Sequence, residues 1–337
     1  MATSREENRS TASRKIVRLA IAVALAIAVY SGLWFAAAGA LEKKLAELIG
    51  GDNPAAIEAR CADMKVGGYP FRIGVTCSQL AIDDHFHGLS ATFGALRSAA
   101  QIYAPGHALW ELDGPGQVRS SLGFSLALQW TQLRSSLNAS LDGLDRSSLE
   151  VKDLQGLLTA QIDGQTVEAR TPHVEAHLRR SGDDLDLAVL TRDAVLSLKE
   201  QPPALPALSA SIDMTLIGKA KYLDLQGDRG EGLYGSKGEI RRLVADMGEG
   251  RVLTLSGPLS VGSDGMISGK LHVEIEGIKA WQQALRQGFP DDRETIDNAI
   301  KVLDAIFAGK DKGEADLTIT NGVVLIGIIP VAVLPPL

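Results

Sequence analysis

The sequence predicts a mainly β protein, a β-rich α+β chain: an N-terminal transmembrane helix followed by a large antiparallel meandering sheet with a C-terminal helical insertion. Three observations carry that prediction. Positions 19–41 form a 23-residue run without a charge. Beyond it apolar residues alternate with polar ones at a period of two, and once near the C-terminus the period lengthens to that of a helix. With 337 residues, 45% hydrophobic and 22% charged, the chain can bury one or two cores, and disorder throughout is excluded.

As a helix, the uncharged run would reach about 34 Å against a hydrocarbon layer of about 30 Å. Tyr30, Trp34 and Phe35 fall in its distal half, suited to the far interface, and Arg5, Arg9, Arg14, Lys15 and Arg18 precede it. That asymmetry keeps the N-terminus in the cytoplasm. A cleaved signal peptide is the alternative, because the Ala36-Ala37-Ala38 and Ala38-Gly39-Ala40 triplets satisfy the small-x-small rule. The apolar run exceeds the roughly 7 to 15 residues of such peptides, which favours an uncleaved anchor. On either reading the rest of the chain is exported, and the expected location is the bacterial inner membrane with a periplasmic body.

The first forty residues carry +3, so the remainder carries −7 − 3 = −10. An acidic body lacks the basic footprint that counterion release requires, which argues against a nucleic-acid partner. Leu41, Leu45, Leu48 and Ile49 recur at helical spacing before Gly50-Gly51, predicting a short stalk helix. Cys61 and Cys77, the only cysteines, are expected to pair in an oxidising compartment. Between them, Gly67 and Gly68 permit a turn, and Phe71, Ile73 and Val75 then alternate as one face of a strand.

Further alternation marks Leu122, Phe124, Leu126, Leu128 and Trp130, then Leu185, Leu187 and Val189, then Ile212, Met214 and Leu216. It resumes at Leu253 and Leu255, at Leu271, Val273 and Ile275, and at Leu317 and Ile319. Asp113-Gly114, Asp142-Gly143, Asp163-Gly164, Asp264-Gly265 and Asn321-Gly322 read as hairpin turns between strands. The prolines at 202–206 mark a boundary and the glycine-rich stretch 227–232 a loop. Ile296, Ala299, Ile300, Leu303, Ile306 and Phe307 follow a helical period, and Ile278, Trp281 and Leu285 suggest a shorter helix before it. The resulting division is a cytoplasmic tail (1–15), an anchor (16–40), a juxtamembrane stalk (41–60) and two β-rich regions (61–201 and 202–337). The second of these carries the helical insertion at about 278–308.

The uncharged N-terminal run, the element Gly68-Tyr69-Pro70-Phe71-Arg72-Ile73-Gly74-Val75 between its cysteines, and the closing segment 322–337 with its prolines resemble the bacterial family domain of unknown function 2125. The resemblance implies a membrane-anchored envelope protein and supplies no catalytic residue.

The chain contains no nucleophile elbow, phosphate-binding loop, dinucleotide fingerprint or zinc-protease helix, so no catalytic residue and no cofactor is assigned. His85 with His87, and His173 with His177, are weak metal candidates, since neither spacing selects the third ligand a catalytic zinc needs. Glu274 and Glu276 lie on a polar strand face with no mate in view. The expected function is a non-enzymatic envelope protein. Its concave aliphatic sheet face would meet a lipid-like ligand or a partner protein. The rivals are an assembly scaffold and a hydrolase with a dispersed site.

Overall fold

The computed structural model describes residues 4–49, 57–85, 88–140, 142–160, 164–224 and 232–337. The chain opens with one long helix, α1 (Ser4–Ile49). The anchor and the stalk are therefore a single element, and Gly50-Gly51 lies outside the described residues. Its side chains from Leu19 to Phe35 carry no charge on any side and are mostly exposed, Leu25 at 61% and Leu33 at 66%. This helix, which the body covers only around Trp34 and Ala38, is long and apolar enough to cross a membrane.

Among the described residues, twenty strands form one antiparallel sheet. From Leu144–Ala160 onward each strand pairs with the next: Thr166–Ser181, Asp184–Leu198, Leu208–Ile217, Lys237–Asp246, Val252–Val261, Ile267–Glu276, Lys312–Thr320, Val323–Ile326 and Ile329–Val333. The strands on either side of the prolines at 202–206 hydrogen-bond to one another, Ala194 opposite Leu208. The sheet is continuous there.

On its other side Leu144–Ala160 forks. Its first half pairs with Gln132–Ala139 and its second with Phe124–Gln129. Two ladders follow. One runs through Ala104–Leu112, Leu96–Gln101, Arg72–Cys77 and Lys65–Gly67; the other runs through Gly116–Ser120, Leu89–Phe93, Gln79–Asp84 and Ile57–Ala62. The chain steps from one ladder to the other in mid-strand at residues 63–64, 78, 94–95, 113–115 and 130–131. These interruptions align into a crease. Asp113-Gly114 belongs to it, so this dipeptide joins two parts of one bent strand and makes no hairpin.

The crease has a recurring device. Asp63, Asp153 and Asp193 adopt φ of 51°, 51° and 46°, the left-handed region that short polar side chains tolerate best after glycine. Each is tied to a hydroxyl on the neighbouring strand. Ser78 Oγ donates to Asp63 and Thr131 Oγ1 to Asp153, both at 2.7 Å, and the Asp193 amide donates to Ser209 Oγ at 3.0 Å. The reversal of backbone twist is thereby compensated locally.

At the C-terminal end α2 (Ile278–Gly288) and α3 (Arg293–Ile306) pack on the sheet. Ile278, Ile300 and Phe307 form their core with Ile275, Ile296, Leu303 and Ala315, and Ile278 is fully buried. Ala299 and Ile306, expected on the same apolar stripe, are exposed at its flank. Asp311 closes the insertion, its carbonyl accepting the amides of Gly277 and Ile278 and its carboxylate that of Lys279. A second core joins Ile240, Leu271, Ile319 and Val324 across the last strands.

Elsewhere the sheet's side chains are mostly half-buried. The chain exposes 21647 Å², whereas a compact globule of 35.7 kDa would expose about 13,000 Å².

Candidate functional site: a charge-free sheet face and its junction with the apolar helix

The segment Gly68 to Val75 is a turn and a strand, and it is also the place where the body meets α1. Strand geometry begins at Arg72; Phe71, expected within the strand, stands in the loop at 69% exposure. Gly68 has φ of 113°, and a Cβ there would lie 2.9 Å from the Arg72 carbonyl, so the turn closed by the Arg72 amide on the Gly68 carbonyl requires glycine. Gly74 is required for a different reason. A Cβ would sit 1.9 Å from the Ser98 carbonyl, where the neighbouring strand bends in and Ser98 Oγ bonds both the amide and the carbonyl of Val75.

Against this loop lies the distal half of the apolar run of α1. Trp34 Nε1 donates to the Arg72 carbonyl at 3.0 Å, Tyr30 donates to the Pro70 carbonyl, and Ser31 Oγ and Tyr69 OH share a hydrogen bond of 2.8 Å. Tyr69 stacks on Phe35 and meets Trp34 edge-on, both at 5.5 Å between ring centroids. Trp34 and Ala38 are buried by the contact. The partners of Tyr69 and Arg72 lie 34 to 38 residues upstream, across residues 50–56, out of reach of any local sequence pattern. Cys61 and Cys77 stand close by with Cα atoms 5.3 Å apart, a separation compatible with a disulfide.

Register partners in an antiparallel sheet share a face. One row of partners runs Ser98, Trp110, Ser135, Leu149, Ala176, Val189, Ile212, Leu243, Leu255, Val273 and Ala315. It crosses eleven strands without a charge. Neighbouring rows on this face repeat the pattern, as in Leu178, Leu187, Met214 and Ile240. All but Ser135 in the long row are half-buried; at its C-terminal end Ala315 packs under the helical insertion and Leu243 and Val273 pack against the core of the last strands. Leu122, expected at the head of one alternating run, is instead 78% exposed in a turn.

The opposite face carries most of the charges; on the row's own face Arg180, opposite Leu185 near the strand ends, pairs with Asp224. Asp186 is buried and accepts from Arg179 (2.6 Å), Arg241 (2.9 Å) and Thr215 (2.8 Å); Arg241 also pairs with Asp213. Arg241 first, then Arg179, hold its carboxyl far below the usual range. Glu175 receives Nε2 of His173 at 2.6 Å and of His177 at 3.4 Å, which lowers its carboxyl chiefly through His173. This histidine pair is thus a hydrogen-bonded triplet around a carboxylate. His85 follows its strand and lies 3.6 Å from Glu58. His87 lies outside the described residues.

Among the described residues the group with metal-ligand spacing is His272, Glu274 and Glu314, with ligand atoms within 4.8 Å of one another. Glu274 does have a mate, directly opposite Glu314, and the helical insertion between them hid it from sequence reasoning. Asp316 binds His272 Nδ1 at 2.9 Å and raises the imidazole above its ordinary pKa, favouring a proton on the ring. The cluster is exposed and reads as a solvated charge group.

A family model matches residues 34–335, nearly the whole chain; its description is an uncharacterized protein conserved in bacteria, domain of unknown function 2125. The chain belongs to that family, as the residues around Tyr69 and the closing segment implied. No curated protein and no solved structure matches it.

Proposed function

We propose that this protein is anchored by α1 in the bacterial inner membrane, with its N-terminus cytoplasmic and its body periplasmic, and that its charge-free sheet face holds the acyl chains of a lipid-like ligand without catalysis. The basic residues before the apolar run support the orientation, and a Cys61–Cys77 disulfide fits the compartment. One observation carries the ligand: the row from Ser98 to Ala315. Ten strand spacings make it about 48 Å long, against about 15 Å for one bilayer leaflet's hydrocarbon. It has the form of a track for several chains, unlike a pocket fitted to one.

Register supplies the test. A photoreactive phenylalanine at Val189 faces the track, and one at Ala188 faces the charges. In the full chain in native membranes, lipid adducts are expected at Val189 and not at Ala188. Equal labelling, or none at either, would refute the reading.

The scaffold reading has its own observation. The last strand, Ile329–Val333, ends the sheet with Ile328 93% and Val333 74% exposed, an edge suited to a partner protein. Protein adducts at Val333 with none of lipid at Val189 would favour it.

A further inference from the structure

We propose that the loop Tyr69-Pro70-Phe71 and the turn Ile102-Tyr103 are immersed in the periplasmic leaflet beside α1, so that the first strands of the charge-free face open directly onto bilayer lipid. The inference rests on the anchored reading above and adds the depth and the docking end of the body.

Helix geometry sets the depth. The apolar run ends at Leu41, with Glu42 the first charge beyond it. The loop touches α1 at Tyr30, Ser31 and Trp34. Trp34 lies seven residues before Leu41, about 10 Å along the axis, and Tyr30 eleven, about 16 Å. A loop bonded at those levels to a membrane-spanning helix lies inside the hydrocarbon boundary, not above it.

The loop is also built for that setting. Irregular backbone survives in lipid only when its polar groups find partners within the protein. Here the Gly68 carbonyl accepts from the Arg72 amide, Pro70 from Tyr30, Phe71 from the Ile102 amide and Arg72 from Trp34. Pro70 has no amide hydrogen to satisfy. Its outward side chains are the opposite of a solvated loop: Phe71 is 69% exposed, Tyr103 74% and Tyr69 45%. Aromatic rings at a membrane boundary bury an apolar body while keeping a polar edge toward the headgroups. From this end the strands Arg72–Cys77 and Leu96–Gln101 lead Ile73 and Ala100 onto the apolar face.

Tryptophan quenching reads the depth in the full chain, reconstituted in phosphatidylcholine vesicles brominated at the acyl chains. Phe71→Trp and Tyr103→Trp keep an aromatic ring. Leu122→Trp, in the turn at the far end of the bent strand that begins beside Tyr103 (Ala104–Leu112 continuing as Gly116–Ser120), serves as control. The emission added at positions 71 and 103 is expected to be quenched by brominated lipid, and that at 122 to be unaffected.

Unquenched emission at 71 and 103 overturns the proposal, as does equal quenching at all three. The emission removed by Trp34→Phe separates the two readings. If Trp34 is quenched and position 71 is not, the anchor stands and the immersed loop falls. If Trp34 is unquenched, the anchor has failed and this inference fails with it. Adducts at Val189 do not enter this test.

Discussion

At the scale of single residues, the Asp186 network and the creased aspartates make opposite demands on a carboxylate. Asp186 is valuable for its charge: it is buried and bonded to Arg179 and Arg241, and neutralising it removes the anionic partner of Arg179 and leaves Arg241 with Asp213 alone. Asp186→Asn should cost about 1.5 to 3 kcal/mol, measured by chemical denaturation at neutral pH. Because its carboxyl titrates below its ordinary value in the folded chain, the stabilisation is present above the unfolded pKa and is lost as pH falls below about 4. The wild type should therefore lose stability there and the variant should not lose this component. Asp153 is valuable for its backbone. At φ of 51° a β-branched side chain is strained by about 1 to 2 kcal/mol, so Asp153→Val should destabilise by that amount or more. Asp153→Gly should lose only the Thr131 hydrogen bond.

At the scale of elements, the insertion of α2 and α3 depends on Gly313. A Cβ there would stand 2.3 Å from the Phe307 ring, so Gly313→Val should push Phe307 out of the core it shares with Ile278 and Ile300. Loss of protection in α3 by hydrogen exchange, with the strands from Leu144 to Ile217 unaffected, is the expected result. These helices were legible because their period is local, and so were the strands from Leu185 to Ile319. Asn321-Gly322, with both φ positive at 47° and 80°, is the hairpin its dipeptide predicts. The crease and the docking of α1 were not legible. Both depend on register and on partners distant in sequence: Asp63 on Ser78, Thr131 on Asp153, Trp34 on Arg72. No periodicity encodes a partner. Asp113-Gly114 misled for the same reason, since a turn dipeptide has the same composition whether it reverses a chain or bends it.

At the scale of the whole molecule, the excess surface has two sources, the exposed helix α1 and the half-covered sheet face. A sheet that buried its apolar face in an ordinary core would fold a second layer over it and approach the area of a compact globule. This chain keeps that face half-buried over most of the row while the reverse face is laced with ion pairs such as Arg134–Glu150. A face left so is stabilised by whatever apolar matter occupies it. The consequence can be tested with charges placed one residue apart. Val189→Glu puts a carboxylate in the middle of the row, where Ala176 and Ile212 flank it and no cation stands opposite. Desolvating it against acyl chains is prohibitive, so the occupant should be excluded there. Ala188→Glu places the same charge between His177 and Asp213 on the reverse face, in contact with water. Lipid recovered by organic extraction of the purified full chain, compared at equal protein, should fall several-fold in Val189→Glu and stay at the wild-type level in Ala188→Glu. Equal recovery from both variants, with α1 accounting for all bound lipid, would mean that the face is closed by the protein itself.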